Sequence, residues 1–405
     1  MKYEVVVVGA GPAGSTAAKY LSEKGVKVLL LDKSKFPRNK LCGGGLSYRV
    51  LDRFNYVKNN DLIESYSYGG FSYSPSLKYK AIYKKNTPFA AMVLREKFDA
   101  GLVQLAVNSG ADFIDGRAVK DVILTKKKAK IILDDKTEVK SEIVVGADGV
   151  WSVIAKKSGL TPPRRKLGIC VLHEYDVDEE TINRYFGEEK MCYIHLDFQG
   201  IPGYGWIFPK KRHLNIGIGK ISPDVHISKT KMDLSTTYRN YIKMLKKKKI
   251  IPENLEIRRC KGAALHIGPL KKTYTDRVLL CGDAGGFINP LTGEGIYYAM
   301  SSGEIAAGVI TEALETGDTS EKFLSKYQEN WRKDFGKDIE LLFGLTKSMS
   351  GHEQIEKLVK LASKDEKLAD VTLGILHGGL SIQDYKLELI IRYLYASVKD
   401  LFEIK

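Results

Sequence analysis

A valine run that stops on glycine constrains this chain more than any other stretch. Residues Glu4 to Gly9 read Glu-Val-Val-Val-Val-Gly, and so short a β-branched run suits a fully buried parallel strand rather than a helix. Gly9-Ala10-Gly11-Pro12-Ala13-Gly14 follows, then Ser15 to Lys24 carries small and apolar residues at helical spacing until Gly25 ends it. A second apolar strand, Val26 to Leu31, closes on Asp32. Strand, glycine turn, helix and strand in that order make a dinucleotide-binding unit. Gly9 permits the tight turn, and Gly11 lacks the Cβ that would hold a pyrophosphate off the backbone. Gly14 lets the helix lie close to the strand, and the free N–H groups of the helix N-terminus attract phosphate. Asp32, eighteen residues past Gly14, is placed to accept hydrogen bonds from a ribose hydroxyl.

The rest of the composition narrows the class. At 405 residues the chain is long enough for two or three domains with their own cores. No run of eighteen apolar residues occurs and the N-terminus enters the first strand at once, so neither a membrane span nor a signal peptide is expected, and a cytoplasmic place is. Five cysteines without a C-x-x-C pair suggest neither a disulfide framework nor a metal site; Cys170, Cys192, Cys260 and Cys281 read as packing residues. The net charge of +15 favours acidic partners: an anionic membrane surface, a phosphorylated substrate, an acidic redox protein or nucleic acid.

After Asp32 a polar segment leads to Leu41-Cys42-Gly43-Gly44-Gly45, a loop where backbone must pass close to something flat or bulky. Residues 46 to 64 read as helix, 66 to 83 as antiparallel strands, and a helix opens at Arg95 and runs to about Ser109. A meander over 112–117, 119–125 and 130–133 precedes Ile143 to Gly149, a buried strand ending in glycine and acid that resumes the first sheet. Beyond Pro162 and Pro163 the period changes to two: 168–175, 191–198, 203–209 and 213–218 read as an antiparallel sheet. Tyr204, Trp206 and Phe208 alternate, hence share one face, as core or as the lining of an apolar pocket. A basic helix over 229–248 leads to Arg277 to Ala284, again strand then glycine and acid, and Pro290 to Ile296 precedes a helix to about Leu314. Residues 320–345, 352–363 and 383–402 are amphipathic and helical, with most of the apolar surface assigned to core and a membrane-resting face on the last helix as a minority reading.

Gly9 to Gly14, Val145 to Gly149 and Gly282 with Asp283 together resemble the flavoprotein fold of the p-hydroxybenzoate hydroxylase type. Adding Cys42-Gly43-Gly44 and Tyr204-x-Trp206-x-Phe208-Pro209, the chain resembles the geranylgeranyl reductase family, most firmly over residues 1 to 310. The resemblance implies an α/β fold: a Rossmann-like FAD-binding domain (1–65, 90–160 and 270–315), an antiparallel β-sheet substrate domain (66–89 and 161–269) and a C-terminal helical region (316–405). It implies FAD as cofactor, held by Gly9, Gly11, Ala13, Gly14, Asp32, Cys42, Gly43, Gly45, Arg95, the backbone near Val119, Asp283, Gly295 and Ile296, with no metal. Asp32 departs from the glutamate common in such flavoproteins, and either carboxylate reaches ribose hydroxyls. It also implies reduction of isolated C=C bonds in geranylgeranyl chains of archaeal ether-lipid precursors.

That chemistry needs reduced flavin in contact with the chain, water kept out, and a proton for the second carbon. Tyr204, Trp206 and Phe208 are the candidate substrate wall. Cys42 is named at the catalytic centre without an assigned step, because a water or the flavin serves equally as proton source. No second strand-linked G-x-G-x-x-G appears, so the electron donor is either NAD(P)H docking transiently or an acidic ferredoxin-like protein. The expected partners are therefore an isoprenoid ether lipid, an anionic membrane surface touched peripherally, and that donor, with no nucleic acid. The alternative on the same fold is an FAD-dependent aromatic hydroxylase; a halogenase needs a tryptophan-rich motif that is not found, and a non-catalytic flavin-bound membrane adapter is a third reading.

Overall fold

The computed structural model describes residues 1–161, 166–220, 233–348, 351–376 and 380–401. Its organising element is the strand Val5–Val8, all four residues buried. It pairs in parallel with Ile143–Gly146 on one side and Val28–Leu31 on the other. Asp112–Ile114 joins beyond Val28–Leu31, and Val278–Leu280 beyond Ile143–Gly146, with Tyr274–Thr275 antiparallel at that edge. The alternation of the valines sorts the layers. Val5 and Val7 pack toward the helices Pro12–Glu23 and Ile296–Thr316, whereas Val6 and Val8 pack toward a three-stranded meander of Val119–Leu124, Ala129–Leu133 and Glu138–Ser141.

Small residues bring the two helices together. A Cβ on Gly303 would stand 2.4 Å from the Ala13 carbonyl oxygen, so Pro12–Glu23 and Ile296–Thr316 approach backbone to backbone with no room for a methyl. Gly14 plays the same part toward the strand: its Cβ would meet the Gly9 carbonyl oxygen at 1.8 Å. Gly9 itself adopts φ +102°, a turn that L side chains rarely make.

The second layer is a seven-stranded sheet in the order Lys261–His266, Leu167–Asp176, His213–Lys220, Gly203–Pro209, Cys192–Leu196, Gly69–Tyr73, Lys80–Lys84. The antiparallel expectation needs one correction, because Cys192–Leu196 and Gly69–Tyr73 pair in parallel. One face buries Ile207, Leu214, Ile216 and Ile218 against the helix Leu234–Lys247; the other carries Tyr204, Trp206 and Phe208.

Other readings also change. The segment 46–64 is not one helix: Gly45–Ser47 is a strand paired with Ala90–Met92, followed by short helices Tyr48–Arg53 and Tyr56–Asn59. The segment 320–345 is helical as read, in two helices, Glu321–Trp331 and Lys337–Ser348, joined by a π-helical stretch at Arg332–Gly336. The helix read from 229 begins at Leu234, its first residues lying outside the described ones. Strands Glu138–Ser141 and Lys261–His266 and helices Glu179–Phe186 and Glu366–Leu376 add to the reading. The strand over Lys261–His266 is an edge strand of Lys, Gly and Ala, whose pairing with Leu167–Leu172 rather than its own propensity makes it β.

Candidate active site

At the carboxyl ends of the parallel strands the chain builds a charged cradle. Asp32 binds the protein before any ligand: Ala10 N–H donates to its Oδ2 and Ser34 N–H to its Oδ1, each at 2.9 Å. The carboxylate thus ties the glycine turn to the second strand. Arg38 Nε stands 3.8 Å from Asp32 and its Nη1 3.0 Å from Asp99, and Arg95 grips the same Asp99 with two 2.8 Å hydrogen bonds. Asp99 is wholly buried, so two guanidiniums share one carboxylate and leave positive charge beside the glycines. A Cβ on Gly11 would find only Arg38 Nη2, 3.7 Å away; the backbone there lies open, as a pyrophosphate requires.

The other acids divide their roles. Asp148 caps the helix Val153–Lys157 through Val153 N–H and Ile154 N–H. Asp283 is held in the cradle, where burial raises its carboxyl above the ordinary range and Lys40 and Arg95 pull it back. Glu294 is mostly buried, with Arg49 Nη2 at 3.8 Å; burial pushes its carboxyl up, against the pull of Arg49 and Ser47.

The two motifs separated by some 160 residues of sequence, Cys42 to Gly45 and Tyr204 to Phe208, meet face to face. A Cβ on Gly43 would stand 2.9 Å from the Phe208 ring and 3.3 Å from Trp206 Nε1, so the loop backbone lies flat on the aromatic wall. Gly44 adopts φ +74° with Val93 N–H donating to its carbonyl at 2.8 Å. Successive rings along the strand are 5.8 Å (Tyr204 to Trp206) and 6.3 Å (Trp206 to Phe208) apart. The Tyr204 hydroxyl donates to the Thr292 carbonyl, joining the wall to the Pro290–Gly295 loop. The Cys42 thiol lies against the Arg95 guanidinium and accepts a 3.4 Å hydrogen bond from Gly44 N–H.

A single cavity of about 1010 Å³ joins these parts. Gly9, Gly11, Ala13, Asp32, Cys42, Gly43, Gly45, Arg95, Val119, Asp283, Gly295 and Ile296 all line it, as do Tyr204, Trp206 and Phe208. Gly14 does not line it; its close contact with Gly9 is the helix-to-strand packing expected of it. Past the aromatic wall the cavity continues between Ile169, Leu172, Ile194 and Leu196 of the sheet and Leu345, Ile355, Leu358, Ile375, Leu389 and Tyr393 of the C-terminal helices. The lysines and arginines that line it are Lys33, Arg38, Lys40, Arg95 and Arg117, which belong to the cradle, where Arg117 N–H donates to the Asp32 carbonyl. The far end is a mainly apolar slot, lined by Cys170 and Cys192 as well, with Asp197, Gln354 and Thr372 as polar side chains among its walls.

Residues that the motifs did not reveal sit beside the wall. Asn215, Glu174 and Lys210 form a hydrogen-bonded group under Trp206 and the Cys42 loop. The signal available in sequence was a polar residue, Asn215, inside the run Leu214 to Ile218 that is otherwise apolar and glycine.

Comparison with known proteins agrees with this geometry. A family model described as an FAD binding domain matches residues 2–340. Digeranylgeranylglycerophospholipid reductase 2 of Methanopyrus kandleri is 30% identical over 378 residues, 91% of this chain and 92% of the relative. The digeranylgeranylglycerophospholipid reductase of Methanocaldococcus jannaschii is 32% identical over 380 residues, 90% of this chain and 88% of the relative. Among solved structures, a geranylgeranyl bacteriochlorophyll reductase-like protein from Thermoplasma acidophilum superposes with a TM-score of 0.80 at 25% identity, covering 95% of this chain and 98% of that one. A variant of the halogenase PltM in complex with FAD has a TM-score of 0.69 at 16% identity over 94% of this chain and 84% of that one, a likeness of fold alone.

Proposed function

Since the chain belongs to the digeranylgeranylglycerophospholipid reductase family, within the proteins that carry an FAD-binding domain, we propose that it is an FAD-dependent reductase that saturates C=C bonds in the geranylgeranyl chains of ether-lipid precursors. The observation that carries this reading is the single cavity that runs from a phosphate-suited cradle, past an aromatic wall, into a slot without lysine or arginine. A polyprenyl chain fits that slot on chemistry: each buried methylene contributes about 0.8 kcal/mol, and a charged headgroup finds no counter-ion inside, so it stays at the mouth.

The residues fit FAD at each part of the molecule. The N-terminal ends of the helices Pro12–Glu23 and Ile296–Thr316 and the Arg38 and Arg95 guanidiniums suit its phosphates, Asp32 its ribose, and the flat backbone of Gly43 its ring. When bound and reduced, FAD supplies the hydride for one alkene carbon. The chain's own work is to press the alkene against that ring with Trp206 and Phe208 and to exclude water. Cys42 stands where both meet and is the residue to test first for the proton to the second carbon.

Among the described residues no helix is long and apolar enough to cross a membrane. The reading therefore places the protein on a lipid surface peripherally. Support comes from the last helix, Ile382–Leu401, which exposes Leu387, Ile391, Leu394, Tyr395 and Val398 along one face, while Ile390 and Leu394 also line the cavity. Electrons arrive from NAD(P)H or from a ferredoxin-like protein meeting the basic surface.

The test is anaerobic: the FAD-loaded protein is reduced with dithionite, a geranylgeranylated glycerophospholipid is added, and flavin reoxidation is followed beside the mass of the lipid. Reoxidation matched by a gain of two hydrogens per bond is expected. Flavin that stays reduced until oxygen is admitted overturns the reading in favour of a hydroxylase.

A further inference from the structure

On the ring-bearing face of the sheet, beside the aromatic wall, one carboxamide is held on three sides. Trp206 Nε1–H donates to Asn215 Oδ1 at 2.8 Å, and Asn215 Nδ2 donates to the Cys42 carbonyl at 3.1 Å and to Glu174 Oε2 at 2.8 Å. Asn215 is completely buried. Its neighbours are one donor and two acceptors, so only one orientation of the amide satisfies all three. Glu174 Oε2 accepts in addition from Lys210 Nζ at 2.7 Å. Lys210 is itself buried beneath the loop, where a Cβ on Gly44 would meet its Nζ at 2.9 Å.

We infer that Asn215 is a positioning residue for the reduction, fixing the gap between the cofactor-side Cys42–Gly45 loop and the Trp206 ring against which the chain lies. The inference rests on the proposed function for its chemistry, and on the hydrogen bonds alone for its geometry. The loop contributes backbone to the cofactor end of the cavity and Trp206 contributes ring to the chain end; Asn215 is the group bonded directly to both. Trp206 cannot retreat, because its ring already lies on Gly217, where a Cβ would stand 2.1 Å from Cζ2. Its remaining freedom is rotation in its own plane, which the indole N–H bond to Asn215 removes. Lys210 is buried, whereas the Glu174 side chain is 31% exposed; the buried ammonium pairs with Glu174 Oε2, the same oxygen that accepts from the Asn215 amide, so the ion pair fixes the acceptor that orients the amide.

The experiment is a double-mutant cycle of Asn215→Leu and Trp206→Phe on the FAD-loaded protein. Trp206→Phe keeps an aromatic ring on the wall, smaller than the indole, and removes the donor. With dithionite-reduced protein, each single variant is expected to lower the single-turnover rate of alkene reduction at saturating lipid by about 10- to 100-fold, with reoxidation by oxygen in the absence of lipid kept within about 2-fold. The double variant falls no further than the weaker single one. Multiplicative losses, unchanged rates, or loss of FAD from Asn215→Leu with Trp206→Phe intact each overturn the inference, the last by assigning Asn215 to folding. Two readouts need no lipid substrate: the alkylation rate of Cys42 and the indole near-ultraviolet circular dichroism both change in Asn215→Leu if it positions the site. Wild type that reduces no lipid while these two readouts change refutes the proposed function and leaves the positioning role standing.

Discussion

Gly217→Ala tests whether the aromatic wall is as tightly built as its geometry implies. Gly217 is the cross-strand partner of Trp206, and the indole lies across the space a side chain would take: an added Cβ would stand 2.1 Å from Cζ2 and 2.5 Å from Cε2 and Cη2. A ring carbon of a buried, hydrogen-bonded side chain cannot yield by a few tenths of an ångström there, so the whole indole must swing. Overpacking costs about 1 to 3 kcal/mol, and leaving Asn215 Oδ1 buried without its donor costs about 1 to 3 more. Removing a glycine from the unfolded chain returns about 0.4 to 1 kcal/mol. The expected net loss is about 1 to 5.5 kcal/mol. Gly219→Ala is the internal control: it lies two residues on, and its Cβ would meet Cys170 Cβ at 3.2 Å, a clash that small shifts relieve for about 1 kcal/mol or less. Urea unfolding of the FAD-loaded proteins gives both values, and near-ultraviolet circular dichroism reports whether the indole moved. A Gly217→Ala protein within about 0.5 kcal/mol of wild type, with its indole band intact, refutes the reasoning.

Asp32→Ala removes the acceptor of both Ala10 N–H and Ser34 N–H, so the glycine turn loosens even before a ribose is considered; FAD affinity by fluorescence titration of the apoprotein is expected to drop about 10-fold or more. His195 is buried, with Tyr241 Oη 2.8 Å from its Nδ1. Burial, and then Lys248, push it down to about 3. The unfolded chain takes up that proton near pH 6.5 and the folded chain does not, so this share of stability is complete above about 6.5 and lost as pH falls toward 3. Between pH 6.5 and 5, wild type should lose about 2 kcal/mol more than His195→Gln, read from urea midpoints; equal slopes count against a neutral buried imidazole. Leu387→Glu with Val398→Glu alters exposed residues outside the cavity, and should abolish co-flotation with phospholipid vesicles while flavin reoxidation by detergent-dispersed lipid stays within about 2-fold; undiminished flotation removes the last helix from the membrane contact.

What was legible in the sequence follows from where each constraint resides. Gly9, Gly11 and Gly14 announce themselves because their roles are conformational and steric, properties of the residue type. The roles still differ on inspection: Gly11 opens to the cavity and Gly14 to a carbonyl oxygen. Cys42 to Gly45 and Tyr204 to Phe208 were visible as motifs, but their contact across two layers was not, since no local pattern encodes it. Leu46 and Ser47 read as helix in the sequence, because the extended form of Gly45–Ser47 comes from pairing with Ala90–Met92, a tertiary override of propensity. Asn215 and Lys210 escaped for the same reason. A buried polar residue declares its partners only in the folded state. The C-terminal helices show the limit of periodicity: an apolar face is equally compatible with core, cavity and solvent, and the last helix turns Leu389 inward, Ile390 to the cavity mouth and Leu387 outward.

The division of labour along the cavity has an evolutionary corollary. The walls of the apolar slot from Leu345 to Leu394 come from helices added after the parallel sheet is complete, and none of the cradle's charged residues belongs to them. Substitutions at Ile355, Leu358, Ile375 and Leu389 therefore retune the length and branching of the chain admitted while leaving the redox half untouched. Ile169, Leu172, Ile194 and Leu196 of the sheet form the facing wall, so a graft of residues 345–394 between relatives exchanges one wall of the slot and keeps the other.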